Sequence, residues 1–197
     1  STSGGKSQTG GTPYNTTSVK SENKVFIARS LDGYIADREG GLDWLYIIPN
    51  PDHKDLGYEL FMENVDAIVM GKNTFDAVCS FDIDWPYRKP VFVLSTSLEN
   101  VPENLKGKVE LLKGSPKEVL EMIHLKGYPR LYIDGGTTIQ SFLREDLIDE
   151  MIITTIPILL GGGAPLFGEL PGSMEFEHVQ SQLYLDALVQ DFYRRKR

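Results

Sequence analysis

Twice in this chain a short apolar strand runs into glycine and then into a threonine-bearing helix start: Asp66-Ala67-Ile68-Val69-Met70-Gly71-Lys72-Asn73-Thr74, and Leu131-Tyr132-Ile133-Asp134-Gly135-Gly136-Thr137-Thr138. The first turn of a helix leaves backbone N–H groups unpaired and partially positive, so glycine just before it lets an anion approach the amides. A single junction of this kind is weak, because most of them only turn the chain in an α/β protein. Two of them suit the two phosphates of a dinucleotide.

At 197 residues with 41% hydrophobic side chains, the chain can bury one sizeable core and fits one domain better than two. Twenty Lys and Arg against 28 Asp and Glu leave a formal charge of −8, which repels polyanions and argues against nucleic-acid and anionic-membrane partners. A small anionic ligand can still bind through local positive spots. The one basic cluster, Arg194-Arg195-Lys196-Arg197, reads as a solvated tail with no function. No stretch reaches the roughly 18 consecutive apolar residues that span a bilayer, and the N-terminus lacks the apolar core of a secretory signal. The expectation is a soluble, cytoplasmic protein. Cys79, the single cysteine, has no internal disulfide partner and reads as a small buried apolar residue. His53, His124 and His178 have no second ligand at metal spacing, so neither a zinc site nor a Ser-His-Asp triad has support.

Residues 1–23 are almost entirely small and polar, too poor in apolar area to offset the entropy of ordering, and are expected to form a disordered leader. From residue 24 to 197 strands and helices alternate. The pattern predicts strands at Lys24–Ser30, up to Met70, at Pro90–Leu94, Val109–Leu112 and Leu131–Ile133. A polar loop is expected over Leu31–Gly41, and helices at Asp55–Asn64, from Asn73, and at Thr138–Arg144. Ser115-Pro116-Lys117-Glu118 is a capping box with proline at the first helical position, opening a helix to Leu125. After that the long β-branched run of Asp149–Leu160 and strands at Glu175–Tyr184 and Leu188–Arg194 give the sheet an antiparallel end. The fold class is α/β: one three-layer domain, with a central mixed sheet of about eight strands and about four flanking helices. Gly161–Gly168 reads equally as a ligand lip and as a wide connection.

In this order the motifs resemble the dihydrofolate reductase-like superfamily, and within it the C-terminal reductase domain of bacterial riboflavin biosynthesis enzymes. The markers are Ala28-Arg29-Ser30-Leu31-Asp32-Gly33-Tyr34-Ile35-Ala36, Met70-Gly71-Lys72-Asn73-Thr74-Phe75, Leu94-Ser95-Thr96, Gly135-Gly136, and Asp149-Glu150 followed by Pro157 to Phe167. The resemblance implies a standalone reductase domain that uses NADPH (NADP) across the carboxyl ends of its strands. Carried onto this chain, Ala28, Ile35 and Ala36 border the nicotinamide, and Gly71, Lys72 and Thr74 hold phosphate. Ser95 and Thr96 meet the adenosine side, and Gly135, Gly136, Thr137 and Thr138 the pyrophosphate. Packing alone is an equal reading for Ala28 and Ile35. Related chains carry arginine where Lys72 stands, and lysine lacks the planar two-pronged grip on phosphate. No basic residue adjoins Ser95-Thr96-Ser97 in sequence, so the preference for NADPH over NADH is expected to rest on Lys72.

Hydride transfer needs an electron-poor acceptor carbon, which a carboxyl group in a dry pocket promotes by protonating the adjacent nitrogen. Asp55, sixteen residues before Gly71, is placed like the acidic residue of folate reductases and is the candidate catalytic acid. An aspartate at a helix start is also favoured simply as a cap. Asp43 and Trp44 are the candidate substrate-binding pair, Trp44 serving equally well as core. The implied reaction is hydride transfer to a small heterocyclic or sugar-linked imine, most like reduction of 5-amino-6-(5-phosphoribosylamino)uracil. The alternatives are a dihydrofolate reductase and a non-catalytic nucleotide-binding module. A homodimer is expected through the late antiparallel strands, because their edges invite pairing and related domains dimerise.

Overall fold

The computed structural model describes residues 20–197. The expected leader lies outside the described residues up to residue 19, and its last two residues, Glu22 and Asn23, already belong to the first strand. In chain order the elements are β1 (Glu22–Ser30), β2 (Tyr34–Ala36), α1 (Tyr58–Glu63), β3 (Ala67–Gly71), α2 (Lys72–Ser80), β4 (Val91–Leu94), β5 (Val109–Leu112), α3 (Pro116–Leu125), β6 (Arg130–Asp134), α4 (Gly136–Arg144), β7 (Glu150–Ile156), β8 (Ala164–Pro165), β9 (Phe176–Tyr184) and β10 (Leu188–Arg195). A 3₁₀ turn spans Asp43–Tyr46.

Eight strands form one sheet in the order β5-β4-β3-β6-β1-β7-β10-β9. Six are parallel, and β10 and β9 run antiparallel at one end. The central strands are continuous apolar runs because helices cover both of their faces. On one face α3 and α4 bury Val119, Ile123, Ile139 and Phe142 against Val69, Leu131 and Ile133. On the other, Phe61 of α1 and Phe75 of α2 close over Ile68, Met70, Val93 and Tyr132. Full burial of one such side chain is worth about 1.5–3 kcal/mol, so these two layers carry the fold. Among the described residues no helix is long and apolar enough to cross a membrane.

Four expectations are corrected. The loop expected over Leu31–Gly41 contains β2, which pairs with β8. The helix expected from Asp55 starts at Tyr58, because Leu56 and Gly57 before it are left-handed, with φ +56° and +87°. Cys79 is exposed on the last turn of α2. The basic cluster is not a solvated tail. Arg194 and Arg195 lie in β10, Arg195 Nε bonds Asp146 Oδ1 at 2.8 Å, and an Arg197 guanidinium nitrogen bonds Asp149 Oδ1 at 2.8 Å. The Arg195 guanidinium lowers the Asp146 carboxyl below its ordinary value.

Two features of the topology position a site. The chain lays down β3, β4 and β5 in one direction and then returns β6 between β3 and β1, so the order reverses beside β1. Ligands of open α/β sheets bind at such a reversal, outside the carboxyl ends of the strands. There the sheet is also split. β1 and β6 pair only from Glu22↔Arg130 to Lys24↔Tyr132, whereas β1 follows β7 to Ser30↔Ile156 and β6 follows β3 to Met70↔Asp134. The carboxyl halves of β1 and β6 therefore part.

Candidate active site

Because Met70 and Asp134 are register partners in parallel strands, Gly71 and Gly135 leave the same edge of the sheet one strand apart, about 4.8 Å. The two turns interlock. A Cβ on Gly71 would stand 2.8 Å from Thr138 Oγ1, and one on Gly135 would overlap the Thr74 hydroxyl. Gly135 further needs its φ of +94°, a conformation that side chains resist. The threonines fill the space between the turns, so the two helix starts form one continuous rim and not two separate cradles. Gly71 and Gly135 are the N-caps of α2 and α4, and among the described residues no side chain caps either helix. At α3, by contrast, Ser115 Oγ accepts from the Glu118 amide at 3.2 Å. The first-turn amides of α2 and α4 are thus left as donors. The Gly135 amide is an exception, since it donates to its neighbour's Asp134 Oδ1 at 2.9 Å. Thr137 is exposed on the rim and Thr138 is buried behind it.

Next to α2 lies a bay of about 300 Å³ lined by Lys72, Ser95, Thr96, Ser97, Lys113 and Gly114. Ser95 is buried and its Oγ accepts from the Ser97 and Leu98 amides at 3.1 and 2.9 Å, which leaves Thr96 and Ser97 exposed to the bay. The Lys72 ammonium pairs with Asp76 at 2.8 Å. Lys113 corrects the expectation that no basic residue accompanies the serine-threonine turn. It is sixteen residues beyond Ser97 in sequence, and the β4–β5 pairing of Leu94 with Leu112 brings it alongside.

The Gly161–Gly168 segment is a pinned lip. Asp32 accepts from the Leu160 and Gly161 amides at 3.1 and 2.8 Å and from Ser30 Oγ at 2.5 Å, and Arg38 donates to Gly161 O. Gly163 lies so close to Ala36 O that any side chain would overlap it. The resulting β2–β8 ribbon reaches the start of α4: a Cβ on Gly136 would stand 2.7 Å from Ile35 Cδ1 and 3.4 Å from Pro165 O. Ile35 therefore touches the rim, and Ala36 belongs to the same ribbon. Ala28, on the part of β1 that has left β6, packs with the small cluster around Trp44, Ile156 and Leu188.

The expected acids fall elsewhere. Asp55 is exposed, and its two oxygens accept from the Gly57 and Glu59 amides at 3.0 and 2.9 Å. It caps the entry to α1 from a solvated position. Asp43 is exposed as well, while Trp44 is 5% exposed in the small core cluster, its indole N–H donating to Gly41 O at 3.2 Å. A third carboxyl group, that of Asp134, stands at the mouth of the β1–β6 split. Burial pushes it up to about 6, although the Gly135 amide and Tyr132 act in the opposite direction. Tyr132, Tyr58 and Tyr87 all sense its charge, and burial together with that charge raises each of them above the ordinary phenol range. Tyr132 is tied across the split, its hydroxyl donating to Phe26 O at 3.1 Å. Trp85 meets Tyr87 edge-on at 5.2 Å, and Phe75 meets Trp85 in the same way at 6.0 Å.

Residues 24–189 match the RibD C-terminal domain. A crystal structure of a "Putative riboflavin biosynthesis protein" from Shewanella sp. PV-4 is 57% identical, superposes with a TM-score of 0.87, and covers 89% of this chain and 99% of its own. "Uncharacterized protein YwjB" of Bacillus subtilis (strain 168) is 33% identical over 148 residues, 74% of this chain and 82% of that protein. Dihydrofolate reductase from Enterococcus faecalis, solved with NADP(H) and the compound RAB-propyl, shares the fold at 18% identity and a TM-score of 0.62, over 89% of this chain and 97% of that one. A dihydrofolate reductase-like sheet, a split at its order reversal and a family match spanning nearly all of the described residues agree: this chain belongs to the RibD C-terminal domain family.

Proposed function

We propose that the protein is an NADPH-dependent reductase of a small heterocyclic or sugar-linked imine, most like the reduction of 5-amino-6-(5-phosphoribosylamino)uracil. The observation that carries this reading is the pair of uncapped glycine helix starts, adjacent on one edge and flanked by a carboxyl group raised to about 6. NADPH fits that rim chemically. Its pyrophosphate would take the amides of Lys72, Asn73 and Thr74 and of Gly136, Thr137 and Thr138. Thr96, Ser97, Lys72 and Lys113 would hold the adenosine end, where two ammonium groups favour a 2′-phosphate. Ala28, Ile35, Ala36 and Gly135 would border the nicotinamide beside the β1–β6 split. When bound, the cofactor supplies a hydride.

The remaining chemistry belongs to the chain. Asp134 holds a proton on its carboxyl over part of the population near pH 6, and can deliver it to a ring or imine nitrogen so that the adjacent carbon accepts hydride. Tyr58 and Tyr87, which both feel the charge of that carboxyl, would wall it from water and stack a ring. The role assigned to Asp55 at the sequence level passes to Asp134. A fluorescence titration with NADPH and NADH tests the cofactor, and an absorbance assay with the phosphoribosylamino pyrimidine and with dihydrofolate tests the substrate. Tighter binding of NADPH and its consumption with the pyrimidine are expected. Turnover of dihydrofolate alone would move the assignment to a folate reductase, binding without any consumption to a non-catalytic module, and no binding would remove the reading altogether.

A homodimer is part of the same proposal. The two sheet edges differ: β5 is four residues long, whereas β9 is nine, its seven inner residues all exposed and none of them proline or lysine. An edge of that length invites pairing unless a partner covers it, and an antiparallel edge strand can meet its own two-fold copy. Light scattering at micromolar concentration should give twice the 22.1 kDa chain mass. A monomeric mass would refute the dimer.

A further inference from the structure

We propose that Gln190, on the antiparallel strand β10, is a positioning residue for the reaction site: its carboxamide fixes the left-handed pair Leu56–Gly57 that launches α1 and thereby sets Tyr58 beside Asp134. The inference rests on Asp134 being the acid of the proposed reductase.

The two N–H donors of the Gln190 carboxamide are both used. One goes to Leu56 O at 2.9 Å and the other to Thr154 Oγ1 at 3.0 Å. Thr154 is 3% exposed on β7, so its hydroxyl is a rigid post, and Gln190 bridges it to a loop 134 residues away in sequence. That loop needs holding. Leucine at φ +56° occupies a conformation disfavoured for a side chain with a Cβ, and such residues persist where surrounding structure over-determines them. Gly57 follows at φ +87°, with Tyr184 Oη and Gln190 Oε1 lying 3.5 and 3.9 Å from where its Cβ would be. Asp55 ties the outer side of the same turn through the Gly57 and Glu59 amides. α1 is six residues long, too short to hold a direction by itself. The direction matters because Tyr58 is its first residue, stacked edge-on against Phe26 at 5.7 Å and sensing the charge of Asp134. Tyr132 and Tyr87 are the other titratable groups facing that carboxyl. If the Leu56–Gly57 turn relaxes, Tyr58 swings and water reaches Asp134.

The test uses the full chain, with the Asp134 carboxyl followed by ¹³C NMR as a function of pH in wild type, Gln190→Met and Thr154→Ser. Gln190→Met keeps the volume and removes both donors. It should lower the Asp134 midpoint by at least about half a pH unit, since rehydration favours the carboxylate. Thr154→Ser keeps the acceptor and should leave the midpoint where it is. NADPH affinity should change less than about twofold in both, because neither residue lies on the glycine rim. If Gln190→Met does not fold, Thr154→Val removes the post instead and should move the midpoint in the same direction. An unmoved midpoint in a folded Gln190→Met or Thr154→Val chain overturns the proposal. Absence of NADPH binding in the wild type defeats the cofactor reading, while the midpoint comparison still decides the role of Gln190.

Discussion

The start of α3 and the starts of α2 and α4 are built on the same plan, a parallel strand followed within a few residues by a helix, yet they are finished in opposite ways. At α3 the chain satisfies itself: Ser115 accepts the Glu118 amide, and Pro116 carries no N–H to satisfy. At α2 and α4 glycine stands where a capping side chain would, and threonines from each turn close the space around the other. A cap of the α3 kind contributes about 1 kcal/mol. Its absence at two neighbouring helix starts leaves stability unclaimed in the one place where an anion could claim it. The difference separates a helix terminus closed by its own side chain from a pair left open.

The comparison breaks most visibly at Gly135. Gly135→Ala puts a Cβ into the Thr74 hydroxyl at φ +94°, so NADPH affinity should fall more than about 100-fold and denaturant unfolding should show a loss of about 2 kcal/mol or more. Gly127→Ala is the control. That glycine has φ +95° with nothing within 4 Å of its Cβ position, so only a backbone cost of about 1 kcal/mol is expected, with binding unchanged.

Asp134→Asn comes next and should act in two opposite directions. Turnover should drop about 100-fold or more, in line with loss of a general acid. Stability should rise. The folded-state value of about 6 lies above the ordinary 3.8, so the folded chain holds an extra proton between those limits and loses stability as pH climbs through them. At pH 7.5 the asparagine variant should be more stable by about 1–3 kcal/mol, and at pH 3.5 the two chains should unfold alike. In wild type, turnover should decline about tenfold per pH unit above 6.

Lys113→Ala should weaken NADPH about tenfold and leave NADH unaffected, as removal of one charge-assisted contact requires. The smallest effect on binding belongs to Ser115→Ala. It should destabilise by about 1 kcal/mol in thermal or denaturant unfolding and leave both cofactor affinities within error.

What could be read from the sequence follows the range of the interactions involved. The central strands announce themselves because burial on both faces demands uninterrupted apolar runs, as at Val91–Leu94 and Ala67–Met70. The α3 cap and the two glycine turns are local chemistry, complete within a few residues. The β2–β8 ribbon escaped because three- and two-residue strands have no periodicity to detect, and pairing over more than 120 residues creates them. Lys113 and Asp134 escaped for a related reason. One joins the serine-threonine turn only through the β4–β5 register, and the other has its pKa raised to about 6 only by the burial that the folded chain creates around it. The basic C-terminus shows no partner in its local sequence because Asp146 and Asp149 lie about fifty residues earlier. Asp55 is a local cap, and the rule that places aspartate at helix starts already contained its role.

The most direct test of the common rim is an amide ¹H–¹⁵N correlation experiment on the full chain during NADPH addition. The Lys72, Asn73, Thr74, Gly136, Thr137 and Thr138 resonances should move together along one saturation curve, while Ser115 to Glu118 stay in place. Movement of only one of the two helix starts, or a response centred instead on the groove that Leu60, Phe61, Val179 and Phe192 line between α1 and β9, would contradict it.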